Sequence, residues 1–161
     1  MSEYRLEDSL GFLVANAGRS LSTSVQRVFS EHGFNVTTEH WTILVQLWNQ
    51  DGLSQLELAE RTGKDQASVS RLIQNMLNRE LIYRRKDPVD ARCKRIYLTE
   101  IGKEQQEKLM ELVTITLIKA TEGIAEEDVA TTKRVLKKIA SKNVTTSWIY
   151  EETGRKLGLD E

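Results

Sequence analysis

The chain holds one cysteine, one proline and two histidines in 161 residues. A lone thiol excludes an intramolecular disulfide framework and fits a reducing compartment. Neither His32 nor His40 has a Cys, Asp or Glu at a convincing metal-ligand spacing, and Cys93 stands alone, so no metal site is expected. No glycine-rich phosphate loop is present, and nothing marks a nucleophile with its base. Neither catalysis nor a cofactor is expected. No stretch approaches the ~18 apolar residues that span a bilayer. The start, Met-Ser-Glu-Tyr-Arg-Leu-Glu-Asp, has no apolar run behind basic residues. These absences predict a soluble cytoplasmic protein with no membrane partner. What remains is 39% hydrophobic and 29% charged. With heptad-like stripes, that favours a mainly α protein with extended, solvated helices, of one-domain length.

The sharpest local absence is of acid. From Gln66 to Arg79 there is no Asp or Glu, in a chain with 24 of them. Val69, Leu72, Ile73, Met76 and Leu77 form one apolar helix face. Gln66, Ser70, Arg71, Gln74, Asn75 and Asn78 form the other. Arg forks onto guanine, Asn and Gln onto adenine, and Ser onto phosphate. A carboxylate there would repel a phosphate backbone. Asp65 stands where an N-cap belongs. Downstream, Leu81–Lys86 and Lys94–Leu98 read as two strands around a turn that holds the single proline, Pro88. Between Arg61 and Leu98 lie ten Lys or Arg against four acids, and the rest of the chain has thirteen against twenty. A nearly neutral protein thus gathers positive charge on one segment, as a nucleic-acid face requires.

In chain order, Leu6, Leu10, Leu13, Val14, Ala17, Leu21, Val25, Val28 and Phe29 predict one long helix ending near Gly33. That stripe exceeds the needs of a small core and suggests a second subunit. Thr37 or Thr38 caps a helix striped by Trp41, Leu44, Val45 and Trp48. Ser54-Gln-Leu-Glu57 is a capping box opening a short helix to Thr62. Gly63 then turns the chain into the acid-free helix. Short helix, glycine turn and polar-faced helix are the helix-turn-helix signature. Thr99 caps another long helix, ended by Gly123, and a final helix runs from about Glu126 to Lys142. The tail keeps Trp148, Ile149 and Tyr150 together and reads equally as a short packed helix or a frayed arm.

The run Asp87-Pro-Val-Asp90-Ala-Arg92-Cys-Lys94-Arg95-Ile-Tyr-Leu98-Thr99-Glu-Ile-Gly102 resembles the wing of the MarR family of bacterial transcription regulators. That family's pattern is "D-P-x-D-x-R", a basic strand, then "L-T-x-x-G". Lys64-Asp65-Gln-Ala-Ser68-Val-Ser70-Arg71-Leu72 is similar to its recognition helix. The likeness runs from about Leu6 to Asn143. It implies a winged helix-turn-helix DNA-binding lobe over 34–99 with a small β-hairpin wing. Helices at 5–33 and 100–143 would form the dimerisation lobe, and 144–161 is an extension outside the pattern. A homodimer would bind double-stranded DNA at a pseudo-palindromic operator and repress transcription.

On this reading Gln66, Ser68, Ser70, Arg71, Gln74 and Asn75 face DNA from the helix, and Arg92, Lys94 and Arg95 from the wing. Asp90 holds Arg92 or its neighbours in place. The resemblance also implies a small aromatic anion as effector, with Phe12, Asn16, Arg19, His40 and Trp41 lining its pocket. The family's peroxide-sensing branch carries a cysteine at about the place of Gly11, which argues against that branch here. Cys93, among Arg92, Lys94 and Arg95, makes a redox role conceivable, but reads first as a small wing residue. The alternative function is a winged helix that binds protein and not DNA.

Overall fold

The computed structural model describes residues 5–142. The expectations for Trp148, Ile149, Tyr150 and the 144–161 extension lie outside the described residues. One compact unit runs up to Ala120, and a second begins at Thr121.

In the first unit, α1 (Leu10–Glu31) is preceded by a single 3₁₀ turn, Leu6–Asp8. Ser9 between them is extended, at φ −72°, ψ 128°. The expected unbroken helix from Leu6 is therefore corrected: Ser9 acts as a cap position, and the apolar stripe runs through it without registering the break. α2 (Thr38–Asn49) opens on a reciprocal cap. Thr37 Oγ1 accepts from the His40 N–H at 3.1 Å, and His40 Nδ1 accepts from the Thr37 N–H at 3.2 Å. Two residues, Leu53–Ser54, form β1, an element not anticipated from sequence. α3 (Gln55–Thr62) starts on the expected capping box, Ser54 with Glu57. α4 (Gln66–Asn78) is capped by Asp65.

β2 (Ile82–Lys86) and β3 (Lys94–Leu98) follow, and the antiparallel sheet has the order β1-β3-β2. Leu53 pairs with Ile96, and Ile96 with Arg84 on the other side. β1 therefore ties the hairpin to the start of α3. The long helix expected after Thr99 is also corrected: α5 (Glu100–Glu104) and α6 (Gln106–Ala120) are separate, with a turn at Gln105. α5 is held by backbone approach. A Cβ on Gly102 would lie 2.2 Å from the Leu81 carbonyl oxygen, so only glycine fits. The Gly102 carbonyl accepts from Trp48 Nε1 at 2.9 Å, and the Thr99 hydroxyl donates to the Glu80 carbonyl at 2.5 Å. The "L-T-x-x-G" motif is thus a clasp joining the end of the hairpin to α2.

The core of this unit sits between α2, α3, α4 and the sheet. Ile43, Leu44, Leu47, Leu53, Leu58, Val69, Ile73, Met76, Ile82 and Ile96 are buried there. Phe29, Trp41 and Trp48 pack in a row, the first pair tilted with centroids 6.0 Å apart and the second edge-to-face at 5.5 Å. The two tryptophans are therefore core. α1 packs along α6, where Leu109 and Leu112 are buried. Yet Leu10, Leu13, Val14 and Leu21 on α1 stay 38–61% exposed.

The second unit holds α7 (Glu126–Ala140), with acids in its first turn and lysines in its last, as the helix dipole favours. No residue of α7 is buried. No helix among the described residues is long and apolar enough to cross a membrane. No group of His, Cys, Asp and Glu that could hold a metal occurs among them.

Candidate nucleic-acid interface

Three local features aim α4 outward. Gly63, at φ 65°, makes the left-handed turn between α3 and α4. The Asp65 carboxylate accepts from the Ser68 N–H at 2.8 Å and from the Ser68 hydroxyl at 2.7 Å. Those bonds, the hydroxyl's first, hold the Asp65 carboxyl below its usual range. Val69, Ile73 and Met76 are fully buried. At 3.6 residues per turn, that leaves Ala67, Arg71, Gln74 and Asn78 pointing away from the core. Ser68 and Asn75 lie on one flank of this row, and Gln66 and Ser70 on the other.

The helix residues expected in the interface differ in exposure. Gln66, Arg71, Gln74 and Asn75 are exposed, and Ser68 and Ser70 are half-buried. Arg71 reaches the Ser68 hydroxyl at 3.4 Å. Gln74 donates to Asn78 Oδ1 at 3.1 Å. Asn75 Oδ1 accepts from Arg79 Nε at 2.7 Å, and Arg79 also donates to the Asn35 carbonyl at 2.5 Å. Asn75 is thereby oriented by a strut that sequence reasoning did not assign. Ala67 was missed as a member of the outward row, and Asn78, placed on the polar face, was not counted among the DNA contacts. The helical period starting from Val69 was the signal for Ala67.

The hairpin is built on Asp87, also absent from the expected site. Its Oδ1 accepts from the Val89 and Asp90 N–H groups at 2.7 and 3.1 Å. Its Oδ2 takes the Arg95 Nε–H. These three bonds, the backbone pair foremost, hold the Asp87 carboxyl below its usual range. Asp at the head of an Asp-Pro turn was the available signal. Asp90 accepts from the Arg92 N–H at 3.0 Å and from the Cys93 thiol at 3.8 Å. Its contact is thus with the backbone at the wing tip, not with the Arg92 guanidinium.

Arg92 and Lys94 are exposed. Arg95 lies elsewhere than expected. Besides Asp87, it donates to the Gly52 carbonyl at 2.9 Å and lies 3.6 Å from Glu57. Strand alternation explains this, since Lys94 and Arg95 must face opposite sides of the sheet. Arg95 is a strut between the hairpin and the start of α3. On the same face, Tyr83 stacks on Tyr97 at 5.6 Å, and Arg85 sits over Tyr83 at 5.5 Å. Among the described residues, Arg71, Arg79, Arg84, Arg85, Lys86, Arg92 and Lys94 all lack a carboxylate within 4 Å. The helix and wing therefore present uncompensated positive charge.

The five residues expected to line an effector pocket are not brought together. Asn16 and Arg19 are exposed on α1 and bonded to each other, and Phe12 on the same helix is half-buried. Trp41 packs between Phe29 and Trp48. His40 is 2% exposed and lines a different cavity, of about 400 Å³, against α4. Burial, and after it Arg79, pushes the His40 imidazole below its ordinary pKa, while Glu39 opposes the shift.

Comparison with known proteins gives a consistent result. The family model described as MarR family matches residues 36–94, the span of this helix-and-wing lobe. A curated relative, the organic hydroperoxide resistance transcriptional regulator of Bacillus subtilis, is 25% identical over 108 residues. That alignment covers 67% of this chain and 72% of the relative. A solved MarR-family regulator from a Rhodococcus species superposes with a TM-score of 0.75 at 25% identity, covering 89% of this chain and 100% of its own. BpsR of Bordetella bronchiseptica, whose DNA binding is regulated by 6-hydroxynicotinic acid, gives a TM-score of 0.81 at 20% identity. It is covered over 88% of this chain and 100% of its own.

Proposed function

We propose, on the premise that this chain belongs to the MarR family of transcriptional regulators, that it is a sequence-specific DNA-binding repressor acting as a homodimer in the cytoplasm. One observation carries the reading. The outward face of α4 has no acid, and the cations of α4 and the wing other than Arg95 lack a carboxylate within 4 Å among the described residues. A protein-binding surface has no need of so uniform a sign, whereas a phosphate backbone does.

In the proposed complex, two copies of α4 enter successive major grooves about 34 Å apart. Arg71 reads a base edge, and Gln66, Ser68, Ser70, Gln74 and Asn75 position the helix or read beside it. Arg92 reaches into the adjacent minor groove, where a narrow A·T-rich track concentrates negative potential. Lys94 meets phosphate. Arg95, Asp87 and Asp90 hold the wing and do not touch DNA. The exposed apolar face of α1 supports the second copy. A small-molecule effector that lowers DNA affinity belongs to the proposal, by analogy with the Bordetella regulator. Selection of bound sequences from random duplex DNA tests it. The expected product is a pseudo-palindrome with half-sites one helical turn apart. Recovery of unenriched sequence would overturn it.

A further inference from the structure

Arg79 stands at the C-terminal end of α4, and its guanidinium joins two amides that are far apart in sequence. Nη1 donates to the Asn35 carbonyl and to Asn35 Oδ1, both at 2.5 Å. Nε donates to Asn75 Oδ1 at 2.7 Å. No carboxylate among the described residues lies within 4 Å to draw the guanidinium elsewhere. The far end of this strut is itself fixed. Gln26 of α1 donates to the Val36 carbonyl at 3.2 Å and accepts from the Thr38 N–H at 3.1 Å. Val36 is buried, so the linker carrying Asn35 is clamped to α1 and to the core. A guanidinium has donors and no acceptor, so the Asn75 atom it holds must be the amide oxygen and not the nitrogen. The amide is planar, with oxygen and nitrogen on separate arms. An oxygen turned to Arg79 leaves the two Nδ2–H donors for other partners, and among the described residues they have none. Asn75 is exposed on the flank of the outward row.

We propose that Arg79 sets the base specificity of Asn75: by holding the amide oxygen it leaves Asn75 a donor-only contact, which selects guanine over adenine at one base pair per half-site. The inference rests on the DNA-binding reading. An asparagine with both amide atoms free forks onto adenine, taking N6–H with its oxygen and giving N–H to N7. With the oxygen held, that fork cannot close, and the adenine amino group meets the Asn75 amino group donor to donor. Guanine offers two acceptors side by side in the major groove, N7 and O6. The strut therefore inverts the preference that an isolated asparagine would show. Arg79 does this as a positioning residue, acting through Asn75 and making no base contact of its own.

The test has two arms, both on the full chain. Without DNA, the Arg79 Nε–H resonance is followed in wild type and in Asn75→Ala. Protection from exchange in the wild type, lost in Asn75→Ala, is expected. An unprotected wild-type resonance overturns the strut, whatever DNA does. In the second arm, sites are selected from random duplex DNA, and duplexes differing only by guanine or adenine at each selected pair are then compared. The wild type should favour guanine by about tenfold at one pair per half-site, and Asn75→Ala should level that pair alone. Arg79→Met keeps an unbranched stem and removes the donors. It frees the oxygen and should move the ratio at that pair by about tenfold or more towards adenine. Misfolding weakens both duplexes together and leaves the ratio as it was. An unchanged ratio in Arg79→Met, an Asn75→Ala that levels no pair, or a wild-type preference for adenine there overturns the role. A wild type that enriches no sequence overturns the DNA-binding reading and the specificity role with it, while the exchange arm still reports on the strut.

Discussion

Asp87 receives two backbone N–H groups and the Arg95 guanidinium, and the position of Arg92 depends on that grip. Its carboxyl is lowered in the fold. Its contribution is therefore present above the unfolded value of about 3.9 and is lost as pH falls through the lower folded value. Asp87→Asn should speed amide exchange across Val89–Cys93 at neutral pH and weaken DNA binding without touching DNA. Unchanged exchange would remove Asp87 from that role. His40 runs the other way along the scale. Its folded pKa lies below the unfolded value of about 6.5. Stability is thus complete above that pH and declines below it, until the folded value is reached. Denaturant melts between neutral pH and mild acid should show the decline, and His40→Gln should flatten it. Arg71→Ala should lose about 1–3 kcal/mol of specific binding and relax preference at one base pair per half-site, if Arg71 forks onto a base. An equal loss on all duplexes would reassign it to phosphate.

At the scale of elements, α1 carries a stripe that its own unit does not cover. Leu10 is 61% and Leu13 51% exposed. So much exposed leucine on one helix is a contact surface left open, and the proposed second copy would cover it. Sedimentation should find a dimer whose folding is coupled to association. Leu13→Glu should shift it towards monomer and lower the melting temperature. A folded, stable wild-type monomer would contradict this. The helices around the site were legible because their ends are chemical: Ser54 with Glu57, Asp65 before Gln66, Gly63 between them. β1 was not, because two residues are too few for a strand period to register. Nor was the turn at Gln105, where no glycine or proline marks the break. In β3, the basic run hid its own alternation. Lys94 and Arg95 looked alike in sequence, and the sheet sends them to opposite faces. The residues expected to line an aromatic pocket stay apart within the single chain for a related reason. Single-helix patterns place Phe12, Asn16 and Arg19 on α1, but they cannot say which neighbour that face meets.

Across the whole molecule, the near-neutral total conceals a division: a helix-and-wing segment with an excess of base, and a remainder with an excess of acid. That division was legible from residue counts alone. That the segment's basic side chains other than Lys64 and Arg95 lack carboxylate partners among the described residues was not, because ion pairing is a property of the fold. Uncompensated cations on an exposed face raise the local anion concentration and steer a polyanion to it. They also make its binding salt-dependent, because each phosphate neutralised releases a counterion. We propose that α4 and the wing form one DNA-binding face. The most direct test is the affinity for operator duplex against salt concentration, for wild type and Arg92→Ala, with thermal melts alongside. Arg92 is exposed, so its removal should change stability by no more than about 0.5 kcal/mol. The log–log salt slope should be steep in the wild type and should shrink by about 2 per dimer in Arg92→Ala. Salt-independent binding, or an unchanged slope in a variant that melts normally, would contradict the account.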